Sequence, residues 1–166
     1  MNLTRDDLIQ SDATMNQMRN MVYHLERFMK LNEVSEIREN FRRMGRNIAR
    51  TYIKYWKPID IVNKANLNDV ITTIYKKILN SSVSVDFDET NKIVTVKDND
   101  CSLCKYHFND IDVAGCEIIA AMLSEIITCI NKEKSSLILE PLDIIESRTF
   151  GHKSCIQSFK YREGRV

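Results

Sequence analysis

The chain has 166 residues, which is enough for one domain that buries a core without help from disulfide bonds. Hydrophobic residues make up 43% and charged residues 28%, as in globular proteins, and the formal charge of +1 gives no general field for nucleic acid or an anionic membrane. No apolar run approaches the ~18 residues that a membrane helix needs. The polar start at residues 1–7 carries no apolar secretory core, so we expect a cytoplasmic protein without a membrane span.

The first third of the chain has helical periodicity. Apolar residues, many of them methionines, recur at steps of three and four between residues 15 and 29, and a second stripe runs from Phe41 to Ile53. A polar break with a possible N-cap at Ser35 separates them, and Pro58 predicts the end of the second helix. Because methionine-rich stripes form adaptable interfaces, we expect residues 1–34 to be a helical extension that makes a homodimer, and residues 35–166 to be the main domain.

A row of basic side chains lies on the second predicted helix at spacings of three and four. Its members are Arg38, Arg42, Arg43, Arg46, Arg50 and Lys54. Such a row could bind nucleic acid or acidic lipid, but charged helix faces are commonly just solvated. Since positive and negative charges nearly cancel over the whole chain, we interpret the row as a solvated face and expect no nucleic-acid partner.

The rest of the chain alternates between helix and strand patterns. The sequence predicts a third helix over residues 66–79, a hairpin of strands at 83–87 and 93–96, and a fourth helix over 112–132. Strands at 137–149 and 155–161 follow. The fourth helix is apolar over a wide arc and is therefore predicted to be central. This order indicates an α+β fold, in which an antiparallel sheet of about four strands packs on helices.

Cysteines near the ends of these elements indicate a metal site. Cys101 and Cys104 form a CxxC motif after a strand, and two thiolates at that spacing can chelate one ion from a tight turn. Cys116 lies in the first turn of the fourth helix, where the helix dipole favours a thiolate, and Cys155 opens the last strand three residues after His152. We predict a closed zinc site of four thiolates, or of three and the imidazole. The alternative is that Cys116 and Cys155 are ordinary core residues.

Four short segments share features with one known family. They are, in chain order, residues 44–49 with a Gly-Arg pair, residues 100–104 followed by Cys116, the small residues Ala120 and Ser124, and residues 151–155. This set resembles the 4-vinyl reductase domain, also called the hydrocarbon-binding domain. The segments are similar to that family's Gly-Arg helix, its first cysteine cluster, the small-residue positions after it and its closing turn.

The resemblance spans about residues 40–162 and implies a fold distantly related to the transport-particle subunits that tether vesicles. It also implies an apolar pocket between helices and sheet, which in relatives fused to transcription activators senses aromatic compounds beside a zinc site. One position departs from the pattern: Ser147 stands where family members often supply a zinc-binding cysteine. Either the CxxC motif compensates, or the site is incomplete, with Glu146 as a substitute oxygen ligand.

The resemblance implies a non-catalytic module that binds an apolar or aromatic small molecule and carries zinc. The expected pocket residues, each of which could equally be ordinary core, are Tyr52, Trp56, Phe87, Ile119, Met122, Leu123 and Ile126. The alternative function is a zinc-stapled dimeric scaffold or protein-interaction subunit without a small ligand. We expect no enzymatic activity, because the sequence has no nucleophilic triad order and no glycine-rich phosphate loop, and a closed zinc site leaves no position for water.

Overall fold

The computed structural model describes residues 4–132 and 137–163, which form four α-helices and four strands. The elements are α1 (Arg5–Leu31), α2 (Ile37–Tyr52), α3 (Leu67–Ile74), β1 (Val83–Asp88), β2 (Ile93–Asp98), α4 (Cys116–Asn131), β3 (Leu137–Glu146) and β4 (Cys155–Glu163). A π-helical turn, Tyr75–Leu79, continues α3. The strands form one antiparallel sheet in the order β1-β2-β4-β3, which confirms the predicted α+β fold. Among these helices, none is both long and apolar enough to cross a membrane.

Helix α4 lies at the centre of the fold, as its wide apolar arc predicts. It packs on α2 and on β3, and its side chains Ile119, Leu123 and Ile126 are buried in the main core. The crossing of α2 over α4 depends on Gly45, since a Cβ atom there would lie 2.1 Å from the carbonyl oxygen of Ile118. Only glycine allows the two helix backbones to come this close.

The basic row on α2 is largely engaged in ion pairs. Arg42 donates from Nε to Glu117 on α4 at 2.7 Å and from Nη2 to the carbonyl oxygen of Leu142 at 2.5 Å, and the Glu117 side chain is 2% exposed. Arg38 reaches the same carboxylate at 3.1 Å, and Arg50 pairs with Glu125 at 2.7 Å. The row that we interpreted as solvated therefore joins α2 to α4 and to the middle of β3, where the register of the pairing with β4 shifts.

Helix α1 packs on the body of the protein through one side only. A capping box between Thr4 and Asp7 starts it, and Arg27 forms an ion pair with Asp110 at 2.5 Å in the loop before α4. Only part of the methionine-rich stripe is buried, and several of its apolar side chains remain exposed. Whether residues 1–34 act as a dimerisation element stays a prediction.

Several predicted boundaries differ from the observed ones. Helix α2 is preceded by Glu36 in the left-handed conformation rather than capped by Ser35, and it ends at Tyr52 because the next residues form turns before Pro58. Helix α4 begins at Cys116, four residues later than predicted. Strand β3 ends at Glu146, since a 3₁₀ turn, Arg148–Phe150, interrupts it.

Candidate metal centre and adjoining groove

Four cysteines from three parts of the chain meet in the interior. Cys101 and Cys104 lie in the loop after β2, Cys116 is the first residue of α4, and Cys155 is the first residue of β4. All four are buried, and their sulfur atoms all lie within 4.8 Å of one another. The predicted convergence of these thiols is confirmed, and the group is close enough to hold a metal ion.

The spacing of the sulfurs suits a single tetrahedral ion. Zinc–sulfur bonds of about 2.3 Å place the four sulfurs of a tetrahedral site about 3.8 Å apart. The Sγ atoms of Cys104 and Cys116 are 3.0 Å apart, so this pair would have to separate by less than 1 Å to receive an ion. All five cysteines of the chain are free thiols, and 3.0 Å is too long for a disulfide bond.

Protons are shared unequally among the four thiols. Burial raises the pKa of the Cys104 thiol, but hydrogen bonds from the thiols of Cys101, Cys116 and Cys155 outweigh burial and hold that pKa well below its usual value. The pKa of Cys101 is raised well above its usual value, chiefly because its thiol donates to Cys104. Hydrogen bonding within the cluster thus favours the thiolate form of Cys104, and a bound cation would favour the thiolate form of its neighbours as well.

Hydrogen-bonding groups surround the sulfurs. The buried hydroxyl of Tyr23 on α1 lies 3.5 Å from Cys104 Sγ, 2.9 Å from the Leu103 carbonyl oxygen and 2.6 Å from Thr149 Oγ1. The backbone N–H of Arg148 donates to Cys155 Sγ at 3.4 Å. Such contacts orient the ligands of a metal and hold them in place in its absence. Sequence reasoning missed Tyr23 and Thr149, because nothing in their local pattern marks a contact across 81 or 126 residues.

Two other predicted candidates lie apart from the cysteines. His152 is exposed in the turn before β4 and is not a member of the group whose ligand atoms lie within 4.8 Å. Glu146 is also outside this group, and its carboxylate accepts a hydrogen bond from Ser154 at 3.2 Å. Ser147 does lie at the centre, with its hydroxyl 3.5 Å from Cys116 Sγ. Because Ser147 has no thiol to offer, the cluster reaches four thiols through Cys101 and Cys104 of the CxxC motif.

A groove of about 500 Å³ adjoins the cysteine loop, and we call it the α1 groove. The first half of α1 forms one wall, and α2, the π-helical turn and the first turns of α4 form the others. Ser102 and Leu103, which lie between the two cysteines of the CxxC motif, also line it. Apolar lining residues include Met15, Val22, Ile48, Leu79 and Ile118. A pocket and the cysteine cluster therefore share one loop.

The structure does not bring the seven predicted pocket residues to one place. Ile119 and Met122 line the α1 groove. Tyr52 lines a different groove of about 670 Å³ between the second half of α1 and α2, whose lining includes no residue of the cysteine loop. The other four belong to the main core or pack against it: Leu123, Ile126, Trp56 and Phe87. The apolar arc of α4 is wide because it serves both the groove and the core.

Comparison with known proteins identifies the fold. The crystal structure of trafficking protein particle complex subunit 3 from Naegleria fowleri, covalently bound to palmitic acid, matches with a TM-score of 0.67 at 10% identity, over 93% of this chain and 99% of that one. The phenol-responsive sensory domain of the transcription activator PoxR, solved with phenol, matches with a TM-score of 0.45 at 11% identity, over 86% of this chain and 73% of that one. The second similarity is too low to support an inference.

Sequence comparisons add no closer relative: no protein-family model matches the chain, and no curated protein matches it. The first structural match agrees with the expected relation to the transport-particle subunits, at the level of the fold. Membership of the 4-vinyl reductase family stays a prediction.

Proposed function

We propose that this protein is a non-catalytic binding module that holds one zinc ion through Cys101, Cys104, Cys116 and Cys155 and an apolar small molecule in the α1 groove. The observation that carries the proposal is the shared loop: the two residues between Cys101 and Cys104 line the groove. An ion that fixes this loop also fixes one wall of the ligand site.

Zinc suits the donor set. Four thiolates are soft ligands that select zinc among the common divalent ions, and structural zinc sites of this type are closed. The thiolates of an iron–sulfur cluster bind several irons, whereas these sulfurs lie close enough to surround one ion. Four protein ligands leave no position for an activated water, which supports a structural role. The proposal places the protein in the cytoplasm, where thiols stay reduced.

The α1 groove suits an apolar ligand. Its volume of about 500 Å³ falls within the range of about 300–1,000 Å³ that is usual for small-molecule sites. Twelve of its nineteen lining residues have aliphatic or thioether side chains, and the other seven are polar or charged. The Naegleria fowleri protein of related fold is covalently bound to palmitic acid, so this fold is compatible with an apolar ligand. The assignment for this chain rests on its own groove.

Elemental analysis of protein purified under reducing conditions tests the metal. We expect one zinc per chain; a chain that takes up no metal after purification and incubation with zinc would contradict the proposal.

Binding of the dye ANS tests the groove, with Met15→Trp to fill it and Gln17→Trp, an exposed position on the same helix, as the matched control. We expect Met15→Trp to abolish dye binding and Gln17→Trp to preserve it. Equal binding by both variants would place the dye elsewhere.

Exposed apolar side chains on α1 favour a second candidate function, a dimeric scaffold without a small ligand. Met18, Met21 and Phe28 share one face of the helix and are 45%, 66% and 61% exposed. Exposed apolar side chains that share one face of a helix often mark an interface. Deleting α1 would not test it cleanly, because Tyr23 contacts Cys104.

Light scattering of the wild type and of the double variant Met21→Glu/Phe28→Glu tests the scaffold. If the protein is a dimeric scaffold, we expect the wild type to be a dimer and the variant to be a monomer with unchanged zinc content. A monomeric wild type would remove this candidate and leave the binding module untouched.

A further inference from the structure

We propose that the ligand of the α1 groove is an amphipathic carboxylate, whose aliphatic chain lies along the apolar walls and whose carboxylate is bound by Arg19 and Ser102. This inference rests on the proposed function, since it specifies the chemistry of the molecule in that groove. Three features of the groove carry it: an unpaired buried cation, an unpartnered buried hydroxyl beside it, and aliphatic walls.

Among the residues that the structure describes, the buried cation Arg19 has no ion-pair partner. Its side chain lines the α1 groove, and the residue is 8% exposed. Its Nε donates to the carbonyl oxygen of Ser102 at 2.5 Å and its Nη1 to Asn16 Oδ1 at 3.0 Å. Within residues 4–132 and 137–163, no carboxylate lies within ion-pair distance of it and Nη2 donates to no acceptor. A buried charge is costly unless it is paired, so this guanidinium is suited to an anion.

The other charged residues of the groove are already neutralised. Lys105 lies 3.8 Å from Asp12, and both line the groove. Asp100 is the remaining acidic residue of the lining, and Arg148 lies 3.3 Å from it. The charges within each of these two ion pairs cancel, so the groove keeps only the positive charge of Arg19.

Ser102 adds a second polar group at the same point. The residue is 9% exposed and lines the groove, yet its hydroxyl has no hydrogen-bond partner within the described part of the chain. A buried polar group without a partner costs about 1–3 kcal/mol, and a serine hydroxyl can reach a new partner by turning about one bond. Because Arg19 is hydrogen-bonded to the backbone carbonyl oxygen of Ser102, one carboxylate can contact both the guanidinium and the Ser102 hydroxyl.

The charge of the groove determines the head group of the ligand, and the apolar lining determines its tail. A single guanidinium with one hydroxyl balances one negative charge and matches the planar fork of a carboxylate, whereas a phosphate monoester carries nearly two charges. Beyond the head, the groove is walled by Met15, Val22, Ile118 and Met122, which offer an aliphatic chain apolar contact but no polar partner. The occupant is thus an aliphatic carboxylate rather than a neutral hydrocarbon.

The test compares dodecanoate with dodecanol, which have the same chain and differ in charge, by calorimetric titration into the zinc-loaded full chain. We expect dodecanoate to bind ~10- to 100-fold more tightly, which is the range for hydrogen bonds to a charged group. Arg19→Met should remove this preference while dodecanol affinity stays the same. Arg5→Met, an exposed arginine on the same helix, is the matched control and should keep the preference.

Arg19 also ties α1 to the cysteine loop, so its loss could loosen the helix. Ser102→Ala avoids this difficulty, because its hydroxyl makes no bond that the variant would lose. We expect Ser102→Ala to keep its zinc content and melting temperature and to bind dodecanoate several-fold more weakly, with dodecanol unchanged. Equal affinities for the two probes in the wild type, or a preference that survives Arg19→Met, would overturn the inference and leave an apolar-ligand module. Binding of neither probe would overturn the ligand-binding function itself.

Discussion

Replacement of Cys116 by serine tests the metal centre most directly. Its thiol is buried at the first residue of α4, 3.0 Å from Cys104 Sγ and 3.5 Å from Ser147 Oγ. Cys116→Ser leaves three thiolates and a hydroxyl, which is a far weaker zinc ligand. A structural zinc contributes on the order of 10 kcal/mol to folding, so one ligand of four corresponds to about 2.5 kcal/mol, or roughly 60-fold in zinc affinity.

The loss of the ligand is accompanied by the burial of a hydroxyl, which costs about 1–3 kcal/mol where it lacks a full set of partners. The two terms add to about 4 kcal/mol, and for a chain of this length each kcal/mol shifts the melting temperature by roughly 2–4 °C. We therefore expect Cys116→Ser to melt about 8–16 °C below the wild type. Thermal melting followed by circular dichroism, with elemental analysis of the same samples, measures both effects.

Cys129→Ser is the matched control, since it makes the same chemical change on the same helix outside the cysteine group. The Cys129 thiol is half-buried, and its sulfur lies 3.8 Å from Glu125 Oε1. We expect this variant to keep its zinc and to melt close to the wild type. EDTA should lower the melting temperature of all three proteins, and Cys116→Ser should release its zinc at lower EDTA concentrations than the wild type or Cys129→Ser. If both variants retain zinc and melt together, the reasoning from four converging thiols is refuted.

Two further predictions concern the packing that positions the centre. Gly45→Ala should destabilise the protein by about 2–3 kcal/mol in urea unfolding, because the new methyl group would overlap the Ile118 carbonyl oxygen and push α2 from α4, while the exposed Asn47→Ala should have little effect. Arg42→Met should cost about 3 kcal/mol by leaving Glu117 buried with only Arg38 as a partner, and adding Glu117→Gln should restore part of the loss. Equal losses in the single and double variants would show that the loss comes from the bonds of Arg42 to the carbonyl oxygens of Pro141 and Leu142 and not from the buried charge of Glu117.

The convergence of the cysteines could be predicted because each one lies in the loop after a strand or at the first residue of a helix or strand, where side chains from different elements come together. Their convergence follows even from approximate strand and helix boundaries, and this holds for all four residues: Cys101, Cys104, Cys116 and Cys155. The predicted ligand His152 does not join the four cysteines, since the turn between Gly151 and Cys155 leaves its imidazole in solvent. Spacing along the chain does not reveal which side of a turn faces inward.

The ligand pocket was much harder to predict. Hydrophobic periodicity shows that a face of α4 is buried but not what buries it. Leu123 and Ile126 therefore look the same in sequence as Ile119 and Met122, which belong to the same core and also line the groove. The role of α1 was also hidden. Its contacts with the cysteine loop, such as that of Arg19 with Ser102, join residues 83 positions apart and leave no local pattern.

The position of Tyr23 has a consequence for how quickly the centre exchanges its ion. The ring packs against Phe108 at a tilt of 45°, with centroids 4.7 Å apart, and its hydroxyl reaches Cys104 from α1. An ion that leaves past this sulfur therefore has to displace the helix first. Chelators of very different strength and concentration would then strip the protein at one common rate, set by the spontaneous lifting of α1. A metal ion bound by the four cysteines would then be kinetically trapped, and the rate of its release would be set by the motion of a helix that supplies none of its ligands.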